Sequence, residues 1–162
     1  MFWGIVFKIN HSPQIIIPNH SFRLRIIANS NNVKDIQTKM QIKAALEQIL
    51  SKTVNESQSL NTTEELVKQN LDIIDSTVAS IMTPLNMRYQ ISFGTNDFPE
   101  KTYRGVVYPA GNYESLVIML GDGEGDNWWC VLFPPLCFLT EDNSSSDVEY
   151  QLYISRILNY FK

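Results

Sequence analysis

Histidine and cysteine are scarce in this chain, with two of each among 162 residues. His11 and His20 both lie in the N-terminal arm, while Cys130 and Cys137 stand far downstream with six residues between them. That spacing fits neither C-x-x-C redox chemistry nor a four-ligand zinc site. Neither histidine adjoins a Ser or Cys in a nucleophile motif, and no G-x-S-x-G occurs. Nothing singles out a hydrolytic pair among the 17 acidic residues. The expectation is a protein that is not an enzyme and that holds no metal and no small-molecule cofactor.

Positive charge is also in short supply. Thirteen Lys and Arg against 17 Asp and Glu leave a net charge of −4, without the basic cluster that phosphate backbones require, so no nucleic-acid partner is expected. The closest grouping, Lys39 with Lys43, shares its helix with Asp35 and Glu47 and reads as a mixed, solvated face. Long apolar runs are missing too. Residues 1–7 (MFWGIVF) stop at Lys8, too short for a membrane span and at the lower limit of a signal-peptide apolar core. Residues 1–17 therefore read as an N-terminal arm or the remnant of an export segment, and 18–162 as one domain.

What is present is a legible series of elements. Residues 22–28 (FRLRIIA) alternate, which predicts a strand with Phe22, Leu24 and Ile26 inward and Arg23 and Arg25 outward. Asn29, Ser30, Asn31 and Asn32 end it and offer caps for a helix over 33–52, whose stripe is Ile42, Ala45, Leu46 and Ile49. Thr62 with Glu65 reads as a capping box for a second helix running to about Met82. Strands are predicted at 87–93, at 103–108 with a break at Gly105, and at 113–120, the last apolar enough for a central position. Val148, Tyr150, Leu152 and Ile154 alternate as a final strand before a short helix at 156–161. The fold class expected is α+β: a single domain with a two-helix pair packed on a mainly antiparallel β-sheet.

The densest segment is 121–137 (GDGEGDNWWCVLFPPLC), which holds all but one of the Trp residues and both Cys. Asp122, Glu124 and Asp126 alternate with glycines as in a calcium loop. Asn127 and Phe133 stand where the sixth-position Gly and the twelfth-position Glu belong, so a solvated acidic turn is the reading. A phosphate-cradling loop fails on its three carboxylates. Trp128 and Trp129 must face opposite sides of a strand, so one enters a core and the other is sheltered elsewhere or exposed for contact. Pro134 and Pro135 end the ladder and stiffen the exit. Cys130 and Cys137 are either a disulfide or two buried thiols, with the compartment deciding.

These residues also carry a family resemblance. The run 121–138, with Asn127-Trp-Trp-Cys at its centre, resembles the signature of the stage II sporulation protein R family. So do Phe98-Pro99 with residues 108–114 (YPAGNYE), and residues 23–30 (RLRIIANS) followed by Asp35, Gln37 and Lys39. The resemblance spans about residues 18–160. It implies an intercellular sporulation signal of endospore-forming Firmicutes, made in the forespore and secreted into the space between forespore and mother-cell membranes. There it would activate a membrane-embedded aspartic protease, its receptor, which processes the sigma-E precursor. Family members carry an apolar export segment, of which residues 1–7 are the only counterpart in this sequence. The expected partner-binding residues are Asn127, Trp128, Trp129, Phe133, Pro134 and Pro135, joined by Arg23, Asn29 and Ser30. The alternative, from the Trp pair alone, is an extracytoplasmic carbohydrate- or cell-wall-binding module.

Overall fold

The computed structural model describes residues 14–137 and 146–161. Residues 1–7, His11 and most of the polar loop expected at 141–147 lie outside them. Seven strands and four α-helices follow in the order β1 (Ile15–Ile16), β2 (Phe22–Ile27), α1 (Val33–Glu56), α2 (Leu60–Gln69), α3 (Leu71–Met82), β3 (Tyr89–Phe98), β4 (Lys101–Tyr103), β5 (Val106–Tyr108), β6 (Gly111–Leu120), β7 (Asn127–Phe133) and α4 (Asp147–Tyr160).

The larger sheet runs β3-β6-β2-β7, and a smaller one runs β1-β5-β4. Three of the five pairings are antiparallel; β2 with β6 and β1 with β5 are parallel. The class is the expected α+β, with a parallel pair at the centre of the main sheet. As its apolar sequence predicts, β6 is a central strand. One face of this sheet presents Phe22, Leu24, Ile26, Leu116, Ile118 and Leu120 to Ile42, Leu46 and Leu50 of α1, Val67 of α2, and Ile74, Val78 and Met82 of α3. Burying such side chains is worth about 1.5–3 kcal/mol each, which makes this face the main source of stability.

The helical boundaries differ from the sequence reading at three places, the first being that α1, expected to end at 52, runs to Glu56. Three helices rather than two cover the sheet, because Asn70 interrupts the second. Its Nδ2 donates to the Leu66 carbonyl at 2.7 Å, a side-chain bond that competes with the continuing helix. The N-cap of α2 is Ser59, which accepts from the Thr62 amide at 3.1 Å; Thr62 lies inside the first turn.

The last element is a correction. Residues 148–154 form a helix, capped by Ser146, which accepts from the Glu149 amide at 3.2 Å. Tyr150 and Ile154 are buried one turn apart, whereas Val148 and Leu152 are exposed. The helical stripe 150-154-157 outweighs the period-two alternation because α4 has a second core to cover. That core unites Ile17, Val106, Val131, Leu136, Tyr150 and Ile154.

Candidate functional site

β7 is the last strand of the main sheet and pairs only with β2 among the described residues. Its register sets Trp128 opposite Ile26 and Trp129 opposite Arg25, so the two indoles leave opposite faces, as adjacent strand residues must. Trp128 packs against the helix-covered core, with the Lys43 ammonium of α1 5.5 Å from its ring centroid. Trp129 stands edge-on to Phe98 at 5.5 Å, with Arg25 at 5.7 Å and Lys101 at 5.2 Å from its ring. Both indoles are half-buried.

A turn is folded back on the C-terminal end of β7. The Val131 carbonyl accepts from the amides of Leu136 at 3.1 Å and Cys137 at 3.0 Å. The Phe133–Pro134 peptide bond is cis. Cys130 and Cys137 form a disulfide with Cα atoms 5.4 Å apart. Beside it opens a pocket of about 190 Å³, lined by Trp129, Val131 and Leu136, by Lys101, Tyr103 and Tyr108 of the small sheet, and by Tyr150 of α4. The β4–β5 hairpin that forms this wall turns at Arg104 and Gly105, both with positive φ, the backbone of a two-residue type I′ turn. Arg104 Nε donates to Asp147 at 2.8 Å and Gln151 Nε2 donates to the Arg104 carbonyl at 3.0 Å, fastening α4 to the hairpin. The Tyr108 and Tyr150 hydroxyls meet at 2.9 Å. Burial pushes the Tyr108 phenol far above its usual range, so this hydroxyl stays protonated.

At the other end of β7 a glycine loop is held by asparagines. Asn29 Oδ1 accepts from the Asp122 amide at 2.9 Å, the Glu124 amide donates to the Asn29 carbonyl at 3.0 Å, and Asn31 Oδ1 accepts from the Asp126 amide at 2.7 Å. Gly125 is required here: a Cβ would collide with the Ser30 backbone. Asp122 pairs with Arg88. No group of three or more His, Cys, Asp or Glu among the described residues is arranged to hold a metal ion.

The expected contact residues thus fall into separate settings. Asn127, Trp128 and Trp129 share the β7 edge. Asn29 and Ser30 are positioning residues: both donate to the Asp35 carboxylate, at 2.7 and 2.6 Å, and hydrogen bonds from Ser30 and Asn29 hold that carboxyl below its ordinary range. Phe133 is buried, against Phe22 in the ladder and Phe161 at 5.3 Å. Pro134 lines a second cavity with Ile16, His20 and Phe161, and Pro135 follows in the turn.

Arg23 is not outward-facing in the sense of being solvated. It leaves the helix-free face, but only 1% of it is exposed. Its guanidinium lies 3.4 Å from the Tyr113 ring centroid, and Nη1 donates to the Pro109 carbonyl at 3.2 Å. Burial lowers its pKa, and Tyr113 opposes that shift. Lys101, Tyr103, Tyr108 and Tyr150, which complete the pocket, escape the sequence reading; Gly105 between two tyrosine-bearing strands was the available sign of the hairpin.

Residues 18–143 match the family model described as Stage II sporulation protein R. The chain is 37% identical over 139 residues to "Stage II sporulation protein R" of Bacillus subtilis (strain 168), an alignment covering 85% of this chain and 62% of the relative. The chain thus spans less than two thirds of that relative's length. No solved structure matches it significantly.

Proposed function

Because the chain belongs to the stage II sporulation protein R family, we propose that it is an intercellular sporulation signal, acting as a ligand and not as a catalyst. In this reading it is secreted from the forespore into the intermembrane space. There it activates a membrane-embedded aspartic protease of the mother cell that processes the sigma-E precursor. The observation that carries the reading is that the matched span, residues 18–143, encloses the whole β7 edge with its Trp pair. The Cys130–Cys137 pairing supports a place outside the reducing cytosol. Contact through Asn127, Trp128 and Trp129 fits the usual make-up of a protein-contact anchor, aromatic and partly buried.

The test is a reconstitution in which protease and sigma precursor are co-expressed with wild type or with a folded Trp129→Ala variant. Wild type is expected to drive cleavage and the variant to reduce it sharply. Cleavage that proceeds equally without this chain overturns the activator role; undiminished cleavage with the variant removes Trp129 from the contact. The carbohydrate-module alternative finds less support. Each indole is half-buried with a lysine ammonium near its ring, which leaves no open aromatic platform for a sugar.

A further inference from the structure

We infer that the outer edge of β7 takes up an extended acidic peptide of a partner protein as an added strand, one apolar side chain of which sits in the pocket between Trp129, Tyr103, Tyr108 and Leu136. The inference rests on reading this edge as the contact surface and names the chemistry of what it contacts.

The backbone comes first. The Ala28 amide donates to the Asp126 carbonyl at 3.4 Å, whereas the Val131 carbonyl points away from β2 to the turn at 134–137. Backbone groups of an antiparallel strand alternate between its two sides. Trp129 and Asn127, in phase with Val131, therefore carry their N–H and C=O outward. Among the described residues those of Trp129 meet no partner there. A strand edge of this kind is a template for another strand.

Side chains repeat the demand. Among the described residues Trp129 Nε1 and Asn127 Oδ1 are buried without hydrogen-bond partners, and both residues line the pocket. An orphan donor and an orphan acceptor on two lining residues suit an occupant offering both, as a peptide does. The remaining lining is aromatic and aliphatic, with room for one apolar side chain.

Charge selects the peptide. Lys101 lies over Trp129 on one face of the edge and is the cation it offers; Lys39 of α1, on the other face, is only 6% exposed and its ammonium donates to the Asp126 carbonyl at 2.9 Å. Among the described residues neither ammonium has a carboxylate at ion-pair distance. Burial lowers the Lys39 pKa; the Asp126 charge opposes that shift and the Lys101 charge adds to it. The other cations near the edge are paired or opposed: Lys43 with Glu47 at 3.4 Å, and Arg25 with the field of Asp97. A second copy of this chain, paired antiparallel edge to edge, would bring like ammoniums together, whereas Asp or Glu would relieve them. Because strand side chains alternate, the peptide carries its apolar residue and an acidic residue two positions apart.

The probe is a phage-displayed random heptapeptide library panned on the immobilised folded chain, followed by affinity measurement on a synthetic peptide of the enriched sequence. The expected result is enrichment of an apolar-x-Asp/Glu pattern. Affinity should fall about tenfold or more when Lys101, whose ammonium makes no ion pair among the described residues, is changed in Lys101→Glu, and weaken with added salt. Trp129→Pro, which removes both an outward N–H from the edge and the indole wall of the pocket, should abolish binding. If that variant does not fold, Lys101→Glu and the salt series decide. No enrichment, an enriched pattern without acidic residues, or affinity unchanged in Lys101→Glu overturns the proposal. So does concentration-dependent dimerisation that the peptide cannot displace. Neither protease nor sigma precursor enters this test, so its failure is distinct from failure of the signalling role.

Discussion

Asn29 and Asp35 meet at 2.7 Å, the amide Nδ2 donating to a carboxylate that also receives Ser30 Oγ and Asn32 Nδ2. The same Asn29 side chain accepts from the Asp122 amide. One residue therefore ties the end of β2 to both the start of α1 and the glycine loop that leads into β7. Asn29→Ala should leave the buried Asp35 carboxylate one donor short and release the exposed Asp122 amide to water, costing about 1–3 kcal/mol in urea unfolding. Because the loop positions Asp126 and Asn127, the variant should also loosen the β7 edge, seen as faster amide exchange at 126–128. Wild-type stability and exchange would show the network to be ornamental.

Asp35 also sets an acid limb. Its hydrogen bonds from Ser30 and Asn29 hold the folded carboxyl below the ordinary value of 3.8. The folded state then binds fewer protons at that site than the unfolded chain. Its contribution is complete above the unfolded pKa and is lost as pH falls through the lower folded value. Unfolding followed from pH 7 to acid should show a decline near and below about pH 4 that is shallower in Asp35→Asn. An identical acid limb in that variant would place the loss on other carboxyls.

The disulfide closes a short turn whose backbone is already held by the Val131 carbonyl. Cys130→Ser with Cys137→Ser should lower stability by about 2–3 kcal/mol, chiefly by freeing the unfolded chain. Reductant should reproduce the loss in wild type and change nothing in the double variant, as thermal unfolding with and without it would reveal.

How much of this was legible in the sequence depends on where each residue's neighbours come from. The alternation of 22–27 and the apolar character of β6 are local signals, and both strands formed as expected. The opposed faces of Trp128 and Trp129 follow from strand geometry alone. Arg23 reads as a solvated residue by the same alternation, but Phe98, Pro109 and Tyr113, all distant in sequence, cover it. The pocket is hidden for the same reason: its walls come from β4, β5 and α4 and meet β7 only in the folded chain. At 148–154 the sequence holds two periods at once, and local pattern could not choose between them.

The choice at α4 can be tested directly. A strand with one buried face would bury Leu152 together with Tyr150 and Ile154, since all three share parity. The helix separates them: Ile154 is fully buried against Ile17 and Val106, whereas Leu152 is 63% exposed. Ile154→Ala should cost about 2–5 kcal/mol through the cavity it leaves. Leu152→Ala should stay within about 0.5 kcal/mol of wild type, a surface change on a helix that favours alanine. Since α4 packs through Tyr150 against the tyrosines of the pocket wall, Ile154→Ala should also weaken peptide uptake at the β7 edge while Leu152→Ala leaves it intact. Equal losses from the two substitutions, in chemical denaturation and in peptide affinity, would return this segment to a strand.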